Sequence, residues 1–248
     1  MSEKGFRSLD TGIFGEERSN GYDTVSERIF YLALGLAVAY GLGLTLFISN
    51  IVSSNKETMD LLATLFKAMS VKGLGGIPSI LLFFALFLGI PIVGSIISSK
   101  SDNAIISFFG YNLIVLPFGV LNSILFMVYE SNSIYNIFFM TLIVSGMMCC
   151  LGVMFPKFFA SIGGTLFTLL TGLLVAMILR SIFFAPSGKF GIIDLAGTII
   201  FSLYIGYDFH RAQTVSKTLD NAVDIAVQIY LDILNLFLLL LKAAGKKK

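Results

Sequence analysis

Several residue types on which soluble proteins depend are scarce in this chain. Only 13% of its 248 residues are charged, and it has two cysteines, one histidine and no tryptophan. Soluble domains carry roughly 25% charged residues, so the shortage excludes a soluble globular domain as the main part of the chain. The scarcity of Cys and His argues against a structural zinc site, which needs several such ligands. Cys149 and Cys150 are adjacent within an apolar run, where cysteines rarely bridge each other, so they do not indicate a redox compartment.

Long apolar runs take the place of the missing charge. Hydrophobic residues make up 56% of the chain, and the mean hydropathy is +0.89. The runs are continuous rather than alternating and approach the ~20 residues that a membrane-spanning helix needs, which favours helices over strands. Seven candidate spans follow: 29–52, 77–97, 104–128, 134–155, 162–179, 191–209 and 222–241. The sequence therefore predicts an all-α polytopic membrane protein with seven transmembrane helices.

The chain divides into three predicted regions. A polar tail (1–28) precedes the seven-helix domain (29–241), and a basic tail (242–248) follows it. The first tail has no apolar core of a signal peptide, so we expect the first span to direct insertion. Lysine and arginine are divided almost evenly between the two sides, so the positive-inside rule assigns no orientation. No basic block is long enough to predict a nucleic-acid partner, so the predicted partner surface is the lipid bilayer.

The longest connection, 53–76, contains a helical pattern. Five apolar residues share one predicted face: Leu61, Leu62, Leu65, Phe66 and Met69. This pattern is typical of an amphipathic helix at the membrane interface, and an ordinary structured loop is the alternative. Small residues also recur four apart at Gly35, Ala39 and Gly43, and at Gly164, Thr168 and Gly172. We interpret both sets as helix-packing surfaces.

Two carboxylates inside predicted spans are the main functional candidates. Asp232 lies near the middle of the last span, and Asp208 lies near the end of the preceding one. Ionisable groups at membrane depth are costly and by default indicate function. The two spans are joined by a short link, which predicts antiparallel neighbours. Arg211 follows Asp208 by three residues, a spacing that suits either a functional latch or an ordinary interfacial ion pair.

If the two carboxyl groups meet, much of their behaviour follows from electrostatics. They cannot both ionise cheaply in a low dielectric, so one proton is shared. Their oxygens also suit a hard cation such as Ca²⁺. A proton and a calcium ion would then compete for one site. The alternative is a structural aspartate that stays protonated between helices.

The remaining polar groups near the membrane are secondary candidates. They are Asp194, which opens the sixth span, Glu130, which ends the third, Asp220 and Asp224 at the start of the seventh, and the lone histidine, His210. Asp194 is expected to meet headgroups or water, and Glu130 to be interfacial. His210 is a candidate for tuning a pH response.

The sequence contains none of the common catalytic motifs considered next. It contains no glycine-rich phosphate loop and no G-x-S-x-G nucleophile elbow. The spacing of Ser and His suggests no intramembrane dyad. We therefore expect a protein that is not an enzyme and has no cofactor.

Two C-terminal stretches resemble the Bax inhibitor family. One is GTIIFSLYIGYD, residues 197–208, and the other is IYLDILNLFLLLL, residues 229–241. The second is similar to the closing motif of the family, in which Asp232 and Asn235 stand three residues apart. The separation of 24 residues between Asp208 and Asp232 also matches the family pattern. Arg28 with residues 32–36 resembles the first span of the family more weakly.

The resemblance implies a fold and a function. The fold is a seven-helix bundle with the last helix central and a cytoplasmic N-terminus. Asp208 and Asp232 would form a pH-sensing dyad in a calcium-leak pathway and would be transient ligands of Ca²⁺, the transported ion. The family commonly places a basic latch after its second helix. Here Lys100 stands near that position, and Arg211 is a rival candidate.

Three functions are consistent with this pattern. The first is a pH-sensitive calcium leak channel, closed while the dyad is charged and latched and opened by protonation. The second is a proton-coupled secondary transporter that uses the same carboxylates. The third is a non-transporting membrane scaffold or regulator of cell death, in which both aspartates serve folding or association only. We expect residence in the cell membrane for a bacterial protein and in an endomembrane for a eukaryotic one.

Overall fold

A computed structural model describes residues 24–69, 82, 85–183 and 190–248. Every element within these residues is helical, apart from one isolated β-bridge between Tyr129 and Lys247. The α-helices are α1 (Glu27–Ser54), α2 (Lys56–Met69), α3 (Ile90–Lys100), α4 (Ala104–Asn122), α5 (Leu125–Val128), α6 (Ser131–Met154), α7 (Pro156–Phe183), α8 (Ile192–Thr214) and α9 (Leu219–Ala244). A π-helical turn, Ala85–Gly89, leads directly into α3.

Polar side chains at the helix starts explain several of these boundaries. Ser26 Oγ accepts a hydrogen bond from the Ile29 amide (3.4 Å), and Thr218 Oγ1 accepts one from the Asn221 amide (3.1 Å). Such N-caps satisfy amides that have no partner within the helix. Thr218 lets α9 begin at Leu219, three residues before the predicted span, and α8 continues five residues past its predicted end.

Six helical segments are long and apolar enough to cross a membrane. They are α1, Ala104–Val128 (α4 with α5), α6, Pro156–Met177 of α7, α8 and α9. The prediction of an all-α membrane-type protein is confirmed. The predicted second span, 77–97, lies partly outside the described residues, and its described part belongs to the shorter apolar helix Ala85–Lys100. The described residues therefore do not confirm a count of seven.

Helix α9 is the most buried of the six segments. Of its most apolar 18 residues 61% are buried, against 39% for α8 and 17–33% for the other four. It packs against α1, α3, α4, α6 and α8. Its apolar residues on several faces, among them Tyr230, Ile233 and Phe237, belong to the main hydrophobic core. The polar residues that α9 carries are thus placed inside the bundle.

The glycines that pack are not the ones predicted. Apart from the backbone of its own helix, no described heavy atom lies within 4 Å of a Cβ built on Gly35, Gly43, Gly164 or Gly172, so the two predicted packing surfaces make no contact within the described residues. The close approach occurs instead between α6 and α8, where a Cβ on Gly152 would collide with the carbonyl oxygen of Gly206. Spacing in sequence does not reveal which helix face meets a neighbour.

The connection after α1 contains the helix α2. Of the two alternatives for this connection, an amphipathic helix and an ordinary loop, the structure has the helix. In α2, Met59 and Leu62 are buried and form a small cluster with Phe87, whereas Leu61 is exposed. The buried face is therefore rotated relative to the predicted one. The side chains of Phe66 and Met69 lie outside the described set.

Candidate functional site

The structure brings Asp208 of α8 and Asp232 of α9 together inside the bundle. The two aspartates are 4% and 8% exposed, and their carboxyl groups lie close enough together for a side-chain hydrogen bond. The helices are antiparallel neighbours joined by the short link 215–218. The carboxyl groups meet because both helices continue beyond the predicted spans, which aligns a residue near the end of α8 with the middle of α9.

The carboxyl pair leaves one oxygen open. Ionised carboxylates only accept hydrogen bonds, so a bond between two carboxyl groups requires a proton on one of them. Asp232 Oδ2 is buried and has no hydrogen-bond partner among the described residues. Tyr204, one turn before Asp208, lies close enough to interact electrostatically with both aspartates. A buried carboxyl oxygen without a donor, beside a second carboxyl group, can take up a proton or contact a cation.

Arg211 lies beside the carboxyl pair. Its Nη1 donates a hydrogen bond to Gln228 Oε1 of α9 (2.7 Å), and its charge acts on Asp208. Lys100, the rival latch, is exposed in the last turn of α3 and forms no hydrogen bond or ion pair with a described residue. Of the two candidate latches, only Arg211 is positioned against the pair.

Asp220 and Asp224 extend the polar face of α9 toward its start. Ser107 Oγ donates a hydrogen bond to Asp220 Oδ1, and Ser98 Oγ donates one to Asp224 Oδ1, both at 2.5 Å. Residues 220, 224, 228 and 232 are spaced four apart and therefore follow one side of the helix. We call these four residues the α9 polar stripe.

The α9 polar stripe contains a residue that the sequence reasoning missed. Gln228 is uncharged and therefore inconspicuous in an apolar span, as are the serines of α3 and α4 that bond to the stripe. The four-residue spacing of Asp, Asp, Gln and Asp along an otherwise apolar span was the signal that would have found it. Within the described residues no group of three or more His, Cys, Asp or Glu side chains could hold a metal ion.

Comparison with known proteins assigns the family. Residues 25–248 match the family described as inhibitor of apoptosis-promoting Bax1. The chain belongs to the Bax inhibitor family. The six apolar helices among the described residues and this membership indicate an integral, multi-pass membrane protein.

Bacterial relatives share parts of the sequence. The chain is 35% identical over 107 residues to an uncharacterized protein of Helicobacter pylori (strain ATCC 700392 / 26695), covering 43% of this chain and 45% of that protein. It is 28% identical over 165 residues to an uncharacterized protein of Borreliella burgdorferi (strain ATCC 35210 / DSM 4680 / CIP 102532 / B31), covering 63% and 69% respectively. The match thus spans less than half of the H. pylori protein.

Asp194 does not meet headgroups or water in this Bax inhibitor family member, so that prediction is wrong. It is 2% exposed, and its carboxylate accepts hydrogen bonds from Lys242 Nζ (2.7 and 2.8 Å) and Arg180 Nη1 (3.3 Å). The Gly191 amide donates a further bond to it (2.9 Å). The three charged residues join α7, α8 and α9 at the end of the bundle away from the link. Asp194 is therefore a structural ion-pair centre.

The other secondary candidates do not join the carboxyl pair. Glu130 forms an exposed ion pair with Lys246 (2.9 Å), where the end of the chain packs back against the start of α6. Asn235 Nδ2 donates to the Leu231 carbonyl one turn earlier (2.8 Å). His210 is half-buried, and its Nδ1 has no partner among the described residues.

Lys217 holds the link next to the site. Its Nζ donates hydrogen bonds to three carbonyls at the end of α8, those of Ala212 (2.7 Å), Gln213 (2.9 Å) and Val215 (3.1 Å). It also lies over the ring of Phe30, 5.0 Å from the centroid. Burial lowers the pKa of Lys217, and the nearby Glu27 opposes that shift. The ammonium caps α8 and so fixes the helix end that carries Asp208.

Proposed function

We propose that this protein is a pH-sensitive cation leak channel, with Ca²⁺ as the permeant ion, gated by the pair Asp208–Asp232. The observation that carries the proposal is Asp232 Oδ2, a carboxyl oxygen buried close to Asp208 without a hydrogen-bond partner among the described residues. Carboxylate oxygens suit Ca²⁺. Two carboxylates are too few for a tight calcium site. Weak binding of this kind lets Ca²⁺ dissociate readily, as permeation requires.

Arg211 is the proposed latch. Its charge favours the ionised form of the pair, and its bond to Gln228 holds α8 against α9 on the same side. Protonation of the pair removes the attraction to Arg211 and weakens the contact between the two helices. Low pH therefore opens the path, and higher pH closes it.

The α9 polar stripe is the proposed route to the gate. Asp220 and Asp232 are separated by twelve residues, or about 18 Å along the helix. Asp224 and Gln228 lie between them at intervals of about one turn. Acidic and amide oxygens at this spacing give a cation successive partners along an otherwise apolar bundle.

The proposed architecture is a seven-helix bundle with the last helix central, flanked by the tails 1–28 and 242–248. The burial of α9 and its packing against five other helices support that position. The bacterial relatives favour the cell membrane as its location. The proposed partners are lipid, Ca²⁺ and protons, and the proposed role is not enzymatic.

Calcium flux from liposomes tests the function. The full chain is reconstituted into vesicles loaded with a calcium-sensitive dye, and influx is measured from pH 5 to 8 for the native protein and for Asp232→Asn. We expect flux that rises as the pH falls and that loses its pH dependence in the variant. Asp60→Asn, which removes the same charge from an exposed site on α2, is the control. Unaltered pH-dependent flux in Asp232→Asn would contradict the proposal.

The same vesicles distinguish the two alternatives. A proton-coupled transporter would accumulate Ca²⁺ above its equilibrium level when a proton gradient is imposed, whereas a channel only dissipates the calcium gradient. A scaffold would give no flux at any pH, while Asp232→Asn would alter folding or association.

A further inference from the structure

The ammonium group of Lys217 closes the end of α8. It donates one hydrogen bond each to the carbonyls of Ala212 (2.7 Å), Gln213 (2.9 Å) and Val215 (3.1 Å). An ammonium group has three donors, so these bonds use all of its N–H groups. The last carbonyls of a helix have no partner within the helix, and a cation beside them also interacts favourably with the helix dipole. Lys217 therefore stabilises the end of α8 through both its hydrogen bonds and its charge.

The start of α1 holds Lys217 in place. The Val25 amide donates a hydrogen bond to the Lys217 carbonyl (2.8 Å). The ammonium lies 5.0 Å from the ring centroid of Phe30 and 5.7 Å from that of Tyr31, within the ~6 Å range of cation–π attraction. The ring of Tyr31 lies 6.2 Å from that of Phe209 in α8. Helix α1 thus contacts both the lysine and the helix end that the lysine caps.

The turn that Lys217 caps is the turn that carries Arg211. Ala212, whose carbonyl accepts one of the ammonium bonds, directly follows Arg211. The Arg211 carbonyl accepts the last helical hydrogen bond of α8, from the Val215 amide (3.2 Å). Helix ends open more readily than helix interiors. From this turn the Arg211 side chain reaches Gln228 on α9, so loss of the cap would displace the guanidinium from that contact.

Different charged groups surround the ammonium and the carboxyl pair. Glu27 and Tyr31 approach the Lys217 ammonium from α1. Tyr204 and Arg211 of α8 lie beside Asp208 and its partner on α9. The Lys217 ammonium is directed at carbonyls that lie one turn or more beyond Asp208 along α8. The effect of Lys217 on the pair therefore passes through the position of Arg211, whose charge acts on Asp208.

We propose that Lys217 is a positioning residue of the gate. By capping α8 and joining it to α1, it keeps Arg211 in contact with Gln228, and so it sets the pH at which the carboxyl pair takes up protons. The inference rests on the proposed function, since it names a residue that regulates the same gate. Lys217 does not exchange the proton itself, and its contribution is geometric.

Calcium flux into liposomes between pH 5 and 8 tests this role in the full chain. Lys217→Met keeps an unbranched side chain that can pack on the two rings, but it lacks the charge and the donors. We expect its pH midpoint to rise, in the same direction as that of Arg211→Gln and by no more. Lys217→Arg, which keeps a cation with donors, should return the midpoint toward the native value. An unchanged midpoint in Lys217→Met overturns the inference.

Lys217→Gln replaces the methionine variant if that protein does not fold. It keeps N–H donors without the charge, and we expect a smaller upward shift of the midpoint. A native midpoint in this variant together with a native midpoint in Lys217→Arg overturns the inference in the same way.

A double variant shows whether Lys217 acts through Arg211. If it does, Lys217→Met combined with Arg211→Gln has the midpoint of Arg211→Gln alone. Additive shifts would mean that Lys217 acts on the pair directly, which overturns the positioning role. Lys248→Met is the matched control, because Lys248 Nζ also donates to a helix carbonyl, that of Phe126 (2.6 Å), at the other end of the bundle. An equal shift in this control would show that the midpoint follows general destabilisation, against the inference.

Hydrogen exchange in detergent examines the end of α8 without flux. We expect faster exchange of residues 209–215 in Lys217→Met, with native exchange in residues 222–230 of α9. Native exchange at the end of α8 would contradict the capping role. If the native protein has pH-dependent flux and Lys217→Met does not alter it, this inference fails while the proposed function stands. Flux without pH dependence in the native protein would overturn the proposed function, and the regulation inferred here with it.

Discussion

Arg211 and Gln228 form a 2.7 Å hydrogen bond across α8 and α9, one turn from Asp208 on the first helix and one turn from Asp232 on the second. Because α8 and α9 are antiparallel, this hydrogen bond lies about one helical turn from the carboxyl pair on both helices. A cation in this position favours the ionised form of the pair, which is why Arg211 is the proposed latch.

Substitution Arg211→Gln is expected to move the pH midpoint of calcium flux upward. Without the guanidinium, the ionised pair is less stabilised, so protonation and opening occur at higher pH. The measurement is dye-reported flux in liposomes as a function of pH. Lys100→Gln is the matched control, because it removes one positive charge from an exposed site without a contact to the pair. A shift in the Lys100 variant and none in the Arg211 variant would identify Lys100 as the latch instead.

Asp224→Asn is expected to reduce calcium flux at every pH while leaving its pH midpoint in place. The amide retains an oxygen that accepts the hydrogen bond from Ser98 but loses the negative charge that attracts a cation to the start of α9. Flux amplitude and midpoint are separated by recording full pH profiles. A normal amplitude in this variant would exclude Asp224 from the route.

Asp194→Asn is expected to lower stability strongly. The change leaves Lys242 and Arg180 without their shared carboxylate. Because these cations are partly exposed, the loss is expected to be below the about 3–5 kcal/mol of a fully buried pair but above that of a surface pair. Thermal unfolding in detergent measures the loss, and the pH midpoint of flux in the folded fraction should not move. Glu130→Gln is the comparison, since the exposed pair with Lys246 contributes at most ~1 kcal/mol. Equal losses in the two variants would rule out a special role for Asp194.

Gly152→Ala is expected to destabilise the contact between α6 and α8. The added methyl group meets the backbone of Gly206, which cannot rotate away, and overpacking of this kind costs about 1–3 kcal/mol. Gly146→Ala on the same helix is the control, because no described heavy atom lies within 4 Å of its Cβ position. The control should be neutral or slightly stabilising, since alanine has the higher helix propensity. Similar Tm values for the two variants would contradict the close approach.

The sequence alone determined the class of the protein and its two principal acidic residues. The length and continuity of the apolar runs reflect the transfer of each residue into lipid, which is a local property. They predict the bounds of all six described spans to within six residues. A charged residue in such a run is conspicuous for the same reason, which is why Asp208 and Asp232 stand out. The closing motif around Asp232 and Asn235 further indicated the family.

Only the tertiary structure decided which of these residues act together. Helix rotation and register place Arg211 rather than Lys100 beside the pair, add Gln228 to the polar stripe, and bury Asp194 between Lys242 and Arg180. None of this follows from hydropathy, because burial in lipid and burial in protein are nearly equivalent for an apolar side chain. The faces that meet are chosen by close packing and by hydrogen bonds between residues distant in sequence.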